Sequence, residues 1–345
     1  MNVAQDEIIL NEIMKSGFYS VVTISDIEMA LESAFLDQYV YFSPSTERKM
    51  SGTIKQRQIY RLKSDEPTYK KDIDYIWMNG KGYLPKDAEK RVVGTQNCDL
   101  VYYLEGDAEN QTATIYGLAD NTYSGPVIIP SFIQGTPVTS ICDGAFRNTA
   151  ITSLVLEDAN SIEVVGQAAF YDCDSLESIS LPNNVAKIRQ YTFKNCINLN
   201  SINIPEKITL IEKEAFYNCH SITNITIPKN VNKIDYKAFS QCINLTDVSI
   251  TNGLKIIGGA AFESCGLISI TVPATVEEIG AYAFYNCCDL STATFNAISI
   301  DTEKCSNSLF WVCNNLSIIY VPTTALDIYN VWLKDYNNFN IISIQ

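Results

Sequence analysis

Eleven cysteines and a single histidine are the side chains with the widest chemical reach in this 345-residue sequence. A thiolate is a nucleophile or a metal ligand, and two thiols can form a disulfide. Those roles need either a group that activates the sulfur or a geometry in which sulfurs converge. The only histidine is His220, so a Ser/His/Asp or Cys/His mechanism would have to be built on it. It directly follows Cys219, and the equivalent place elsewhere holds Asp174, Ile197, Ile243 and Gly266. A slot that accepts all four is a solvated turn. No phosphate loop, paired Cys-x-x-Cys, His-Glu-x-x-His or Gly-x-Ser-x-Gly is present. Carboxylate pairs such as Glu277-Glu278 read as solvated turn charges.

The cysteines recur instead of converging. Cys173, Cys196, Cys219, Cys242 and Cys265 stand 23 residues apart, and Cys287 follows after 22. A phenylalanine precedes each by three: Phe170, Phe193, Phe216, Phe239, Phe262 and Phe284. Phe146, with Thr149 in the cysteine position, and Phe310, with Cys313, extend the series at both ends. In-register thiols point the same way, so a straight row cannot surround one tetrahedral ion. Neighbouring coils fall within the ~4.4–6.8 Å Cα range of a disulfide, but pairing would strain the turn. The expectation is a reduced structural ladder, Cys173 to Cys313, of buried small side chains with weak S–H donors to the turn backbone. No catalytic, metal or cofactor site is expected. Cys98, Cys142, Cys288 and Cys305 lie off the ladder, with Cys288 the more exposed.

Such a period belongs to a solenoid. Each unit reads apolar-x-x-Ile-x-x-x-Ala-Phe-x-x-Cys-x-x-Leu-x-x-Ile-x-Ile-Pro. The period-two ending predicts short strands at 176–181, 199–204, 222–227, 245–250, 267–272, 290–295 and 316–321. Pro182, Pro205, Pro228, Pro273 and Pro322 end five of them by removing a ladder donor. Strands one coil apart stack into a parallel sheet at ~4.8 Å. No coil buries its apolar positions alone, so stability comes from its neighbours.

This pattern resembles the BspA-like (Treponema-type) leucine-rich repeat family over residues 126–345. The segment Val127-Ile128-Ile129-Pro130, then Gly135-x-Pro137-Val138-Thr139-x-Ile141, is similar to that family's first coil, and 325–333 with 339–344 to its C-terminal cap. Local departures are Thr251 in a proline place, Thr149 in the cysteine column and an insertion between Phe284 and Phe310. The resemblance implies a surface protein that binds host proteins or mediates adhesion. The expected fold is an α+β N-terminal domain (1–97) and a capping hairpin (98–125). A β-rich leucine-rich repeat solenoid (126–322) with ~23-residue coils of stacked short parallel strands follows, then a C-terminal cap (323–345).

The candidate binding face is the outer side of the sheet: Ser178, Ser180, Ser201, Asn203, Asn224, Thr226, Asp247, Ser249, Ser269, Thr271, Thr292 and Thr294. These side chains are small and mostly uncharged. They would suit a flat hydrogen-bonding contact with a protein or glycan, and equally a solvated sheet face. Large aromatic anchors are missing from it. Tyr171, Tyr191, Tyr217, Tyr236, Tyr282 and Tyr285 cluster near the Ala-Phe turn instead, a rival surface if they form an exposed row.

Before the repeats, helices are expected at 6–16 and from the Ser25-Asp26-Ile27-Glu28 capping box to 39. A strand is expected at 54–62, a hairpin on Asn79-Gly80, a linker at 85–97 and a second hairpin from 100–104 and 112–116. Arg48, Lys49, Lys55, Arg57, Arg61 and Lys63 could dock an acidic partner, or lie on a solvated strand and loop.

The net charge of -14 argues against nucleic-acid or anionic-membrane partners. No run of 18 apolar residues suggests a membrane-spanning helix. Acids at Asp6 and Glu7 stand where a signal peptide would carry bases. A non-enzymatic binding or adhesion protein at the cell surface is the leading expectation. The alternative is a structural part of a phage virion or tail, with residues 1–97 attaching it to the particle.

Overall fold

In the computed structural model, residues 91–345 are described except 108, 158–160, 307 and 337, together with the backbone of three short strands before them. The chain divides into two compact units, Met1–Glu89 and Lys90–Gln345. In the first, β1 (Ile59–Arg61), β2 (Asp74–Met78) and β3 (Gly82–Pro85) form an antiparallel sheet, with Met78 opposite Gly82. The helices expected at 6–16 and 25–39 lie outside the described residues, as does the basic run of Arg48 to Lys63 apart from the backbone of Arg61.

The second unit opens with an antiparallel meander of β4 (Arg91–Gly94), β5 (Asp99–Glu105) and β6 (Thr112–Leu118). The expected linker at 85–97 therefore needs correction, since it contains β4. Val92 and Val93 lie opposite Val101 and Leu100, and β-branched residues suit a pleated ladder. Thr95 closes the turn to β5, its hydroxyl donating to the Cys98 carbonyl at 2.6 Å. β6 then pairs in parallel with a solenoid strand, so the hairpin extends a sheet of the solenoid at its N-terminal end.

The solenoid coils build two ladders. The first holds β7 (Ser124–Ile129), β10 (Ala150–Leu156), β12 (Ser178–Ser180), β14 (Ser201–Asn203), β16 (Asn224–Ile227), β18 (Asp247–Ile250), β20 (Ser269–Val272), β22 (Thr292–Phe295) and β23 (Ile318–Pro322). All its pairings are parallel. The second holds β9 (Thr136–Ile141), edged by β8 (Phe132–Ile133), then the two-residue strands β11 (Val164–Val165), β13 (Lys187–Ile188), β15 (Leu210–Ile211), β17 (Lys233–Ile234), β19 (Ile256–Ile257) and β21 (Glu278–Ile279). The strands expected from sequence lie in the first ladder. The second rests on one buried position per two-residue strand, too short a run for the alternation to show.

The Ala-Phe turn closes each coil and is itself bonded to the next. The amides of Phe170, Phe193 and Phe216 donate to the carbonyls of Thr192, Ala215 and Ala238 at 2.7–2.9 Å. To hold that geometry, the residues two after each phenylalanine, and those two before Phe146 through Phe284, turn left-handed. After it these are Asn148, Asp172, Asn195, Asn218, Gln241, Ser264, Asn286 and Val312, with φ from 55° to 65°. Asn and Asp tolerate this region best among non-glycine residues, which is why they fill the column. Val312 is the β-branched exception, strained and exposed. Val312→Asn is expected to stabilise the protein by about 1 kcal/mol. The check is a rise in Tm, and an unchanged or lower Tm would refute it.

Where Pro182, Pro205, Pro228 and Pro273 end strands, their carbonyls accept from Val185, Ile208, Val231 and Val276 three residues on. Thr251, in the same place, keeps an N–H and uses it: both its amide (3.2 Å) and its hydroxyl (2.9 Å) donate to the Ile227 carbonyl. The insertion between Phe284 and Phe310 brings Cys305 beside the second ladder, where its sulfur accepts the Ile279 amide at 3.2 Å. The C-terminal end is closed by a 3-10 turn (Thr323–Ala325), α1 (Leu326–Trp332) and β24 (Asn340–Ile344), which pairs in parallel with β23. Tyr329 and Trp332 pack on Phe295, and the Tyr329 hydroxyl donates to Ala297 at 2.9 Å.

Candidate binding faces

The interior sets how rigidly the surface is presented. Phe146, Phe170, Phe193, Phe216, Phe239, Phe262 and Phe284 form one stack, with centroids 5.0–5.7 Å apart and planes within 13° of parallel. Phe310 continues it at 5.5 Å. Beside it runs the cysteine ladder, every thiol free. The sulfurs of Cys173, Cys196, Cys219, Cys242, Cys265, Cys287 and Cys313 donate to the phenylalanine carbonyl of the preceding coil at 2.9–3.1 Å. Thr149 opens the column, its hydroxyl donating to Phe146 at 2.6 Å within its own turn. Each thiol thus satisfies a buried carbonyl and fastens one coil to the next. Among the described residues no group of three or more His, Cys, Asp or Glu could hold a metal ion. His220 is half-buried and its carbonyl accepts from Asn244, with nothing around it that resembles a catalytic arrangement.

The sheet-face residues named from sequence come together in two columns. Ser178 lies opposite Ser201 and Ser180 opposite Asn203. Asn224 faces Asp247 and Thr226 faces Ser249. Ser269 faces Thr292 and Thr271 faces Thr294. Most are exposed; Ser178, Thr292 and Thr294 are half-buried. The columns continue into Ile318 and Tyr320 and then Asn340 and Ile342. Tyr320 is an aromatic residue on this face that the sequence pattern did not single out, because its neighbours Ile319 and Val321 dominate the local alternation.

The tyrosines near the turn do not form one exposed row. Tyr171 and Tyr191 are buried, Tyr217 and Tyr285 half-buried, Tyr236 and Tyr282 exposed. The cause is Lys194. Its ammonium lies 5.1–5.6 Å from the ring centroids of Tyr171, Tyr191 and Tyr217 and pairs with Glu214 of the next coil at 2.9 Å. A cation over an aromatic face is attracted by the ring quadrupole, more so when water is excluded. The Arg147 guanidinium also lies over Tyr171, 4.4 Å from its ring centroid. Lys237 sits over Tyr236 and pairs with Glu263 at 3.3 Å; its pKa is raised against the opposing effect of burial, chiefly by Glu263.

Further along the same turns the charges give way to aromatic surface. Tyr282 meets Tyr285 and Trp311 edge-on, each at 5.7 Å. Trp311 is 53% exposed and Tyr282 41%. Tyr285 and Trp311 occupy the position after the phenylalanine, which Arg147, Tyr171, Lys194, Tyr217, Ser240 and Glu263 hold in other coils. Trp311 directly follows Phe310, which the repeat already places in the phenylalanine column; the expectation for this surface rested on the tyrosines alone and so did not include it.

The family model of the BspA type leucine-rich repeat region matches residues 139–265 and 232–345, in six copies. Among solved structures, the chain is similar to a leucine rich cell surface protein from Faecalibacterium prausnitzii. That match has 19% identity and a TM-score of 0.50, and covers 74% of this chain and 96% of the other. A leucine-rich repeat protein from Bacteroides ovatus matches at 21% identity and TM-score 0.38, over 70% and 75% of the two chains. A T. pallidum leucine-rich repeat protein matches at 21% and 0.36, over 74% and 100%. The first of these shows the same solenoid fold. No curated protein matches the chain.

Proposed function

The chain belongs to the BspA-type leucine-rich repeat family, and from that premise we propose that it is a non-enzymatic binding protein of the adhesion kind, docking a protein partner on the turn face at Tyr282, Tyr285 and Trp311. The observation that carries this reading is the edge-on trio, with Tyr282 and Trp311 exposed and Tyr285 half-buried, held on a turn that the Phe and Cys ladders fix from beneath. Tyr and Trp dominate interface energetics because they bury much area at small entropic cost. The sheet-face columns lack such anchors over most of their length, and in-register stacking already accounts for their small hydroxyl and amide side chains. A display role at the cell surface is supported by the description of the Faecalibacterium protein of the same fold as a cell surface protein. Among the described residues no helix is long and apolar enough to cross a membrane.

The test is binding of the full chain to a panel of purified host extracellular proteins and glycans. For a protein ligand found with the wild type, Trp311→Ala with Tyr282→Ala is expected to weaken binding by roughly a hundredfold, an effect of about 2–4 kcal/mol. Asn203→Arg with Thr226→Arg, on the sheet face, is expected to leave it unchanged. The reverse pattern would move the site to the sheet. Binding to glycans alone would overturn the protein-partner reading.

A further inference from the structure

The two edges of the first sheet are built differently. At the N-terminal edge, β7 carries Pro126, which has no N–H to offer, and its carbonyl already accepts from Tyr123 at 2.7 Å and Asn97 at 3.4 Å. Proline and occupied carbonyls are ways in which natural sheets blunt an edge. At the other edge, β24 reads Asn-Ile-Ile-Ser-Ile, without charge or proline, and pairs with β23 without a bulge. No strand lies on its far side among the described residues. The Asn340 amide donates to Ser317 and the Ile344 carbonyl accepts from Thr323. Alternation along a parallel ladder then turns the backbone groups of 340, 342 and 344 toward β23, and those of Ile341 and Ser343 outward. Next to β24, α1 exposes Ile328 and Val331 one helical turn apart, Val331 by 69%, and Ile342 is 41% exposed on the sheet face. A terminal solenoid cap ordinarily needs a polar outer face.

We propose that β24 joins two copies of this chain tail to tail, strand against strand, around a two-fold axis centred on Ile342. A two-fold contact requires a segment that complements its own reverse. Run antiparallel to itself, β24 places Ile341 opposite the second copy's Ser343 and Ser343 opposite its Ile341. These are the residues whose backbone groups face outward, so both pairs exchange hydrogen bonds. Ile342 meets its own copy at the intervening non-bonded site, where side chains come closest. No charge in the strand meets its like. The strand itself therefore sets no charge against the pairing, which must outweigh the repulsion between two chains of net charge -14. Head-to-tail pairing with β7 would meet Pro126 and the carbonyl already capped by Asn97 and Tyr123.

The full chain should sediment as a concentration-dependent dimer that does not grow into longer species. Ile342→Lys, which sets like charges against each other across the axis, is expected to raise the dimer dissociation constant roughly tenfold or more. Ser343→Pro removes an outward amide and leaves the bonds to β23 intact, so it should dissociate the dimer without altering Tm. Thr226→Lys, in mid-sheet, should change nothing. A wild type that stays monomeric at high micromolar concentration overturns the proposal. So does a dimer that both β24 variants leave intact. Open-ended growth would mark head-to-tail pairing and overturns the two-fold arrangement.

Discussion

Raising the pH from 8 to 10 is expected to destabilise this solenoid markedly. Burial raises the pKa of Cys142, Cys196, Cys219 and Cys265 well above the ordinary 9.0, and pushes Cys305 up to about 11. A thiol buried in apolar surroundings keeps its proton because the thiolate would be unsolvated. The unfolded chain releases that proton near 9. Below 9 both states are protonated and the stability is fully present. Above 9 the unfolded state binds fewer protons, so stability falls with pH until the folded-state value is passed. A thiol whose folded value stays above 10 costs up to about 1.4 kcal/mol between pH 9 and 10, while Cys313, held below its ordinary value by its hydrogen bond with Cys287, acts in the opposite sense. The measurement is the urea midpoint at pH 8, 9 and 10, with Cys219→Ala expected to flatten the slope. A midpoint that does not move between pH 8 and 10 would sink the idea. At pH 8, a thiol reagent should label the exposed Cys288 in the native state and reach the ladder only after unfolding.

The second large effect is expected from Phe239→Ala. Phe239 is fully buried, with Phe216 and Phe262 stacked 5.0 and 5.4 Å away. Removing the ring leaves a cavity that rigid neighbouring coils cannot close, at a cost of about 3–5 kcal/mol. The loss is not shared evenly. Solenoid stability is close to a sum over neighbouring repeats, so a weak interface in the middle lets the two sides unfold separately. Urea unfolding should broaden or split into two steps. A single sharp transition with a loss under about 1 kcal/mol would show that the stack is not what couples the coils.

The repeat made much of this visible beforehand. Phe and Cys recur at fixed positions because every coil must present the same shape to its neighbours, so the Cys173 to Cys313 ladder and its bonds to the turn carbonyls follow from spacing and thiol chemistry. The sheet-face columns followed from alternation. The second ladder did not, since its strands are two residues long and bury one of them, as with Ile188, Ile211 and Ile234. The strand at Arg91–Gly94 was hidden by Gly94 and the polar residues after it, which read as linker.

By itself the sequence determined the architecture: a periodic core, stacked parallel strands and a reduced thiol column. Such features repeat in every coil, and one chain displays them many times. The tertiary structure alone decided which surface side chains are buried, paired or left open. Lys194 occupies a column that also holds Tyr217, Ser240 and Trp311, so its type says only that the place is variable. It is buried because Tyr171, Tyr191, Tyr217 and Glu214 lie in neighbouring coils at the right height. The same holds for Trp311 beside Tyr282, and for the unblunted edge of β24 opposite Pro126 in β7. Each depends on contact between residues about a coil apart or at opposite ends of the sheet, and lateral contact is set by stacking, which a one-dimensional pattern does not contain.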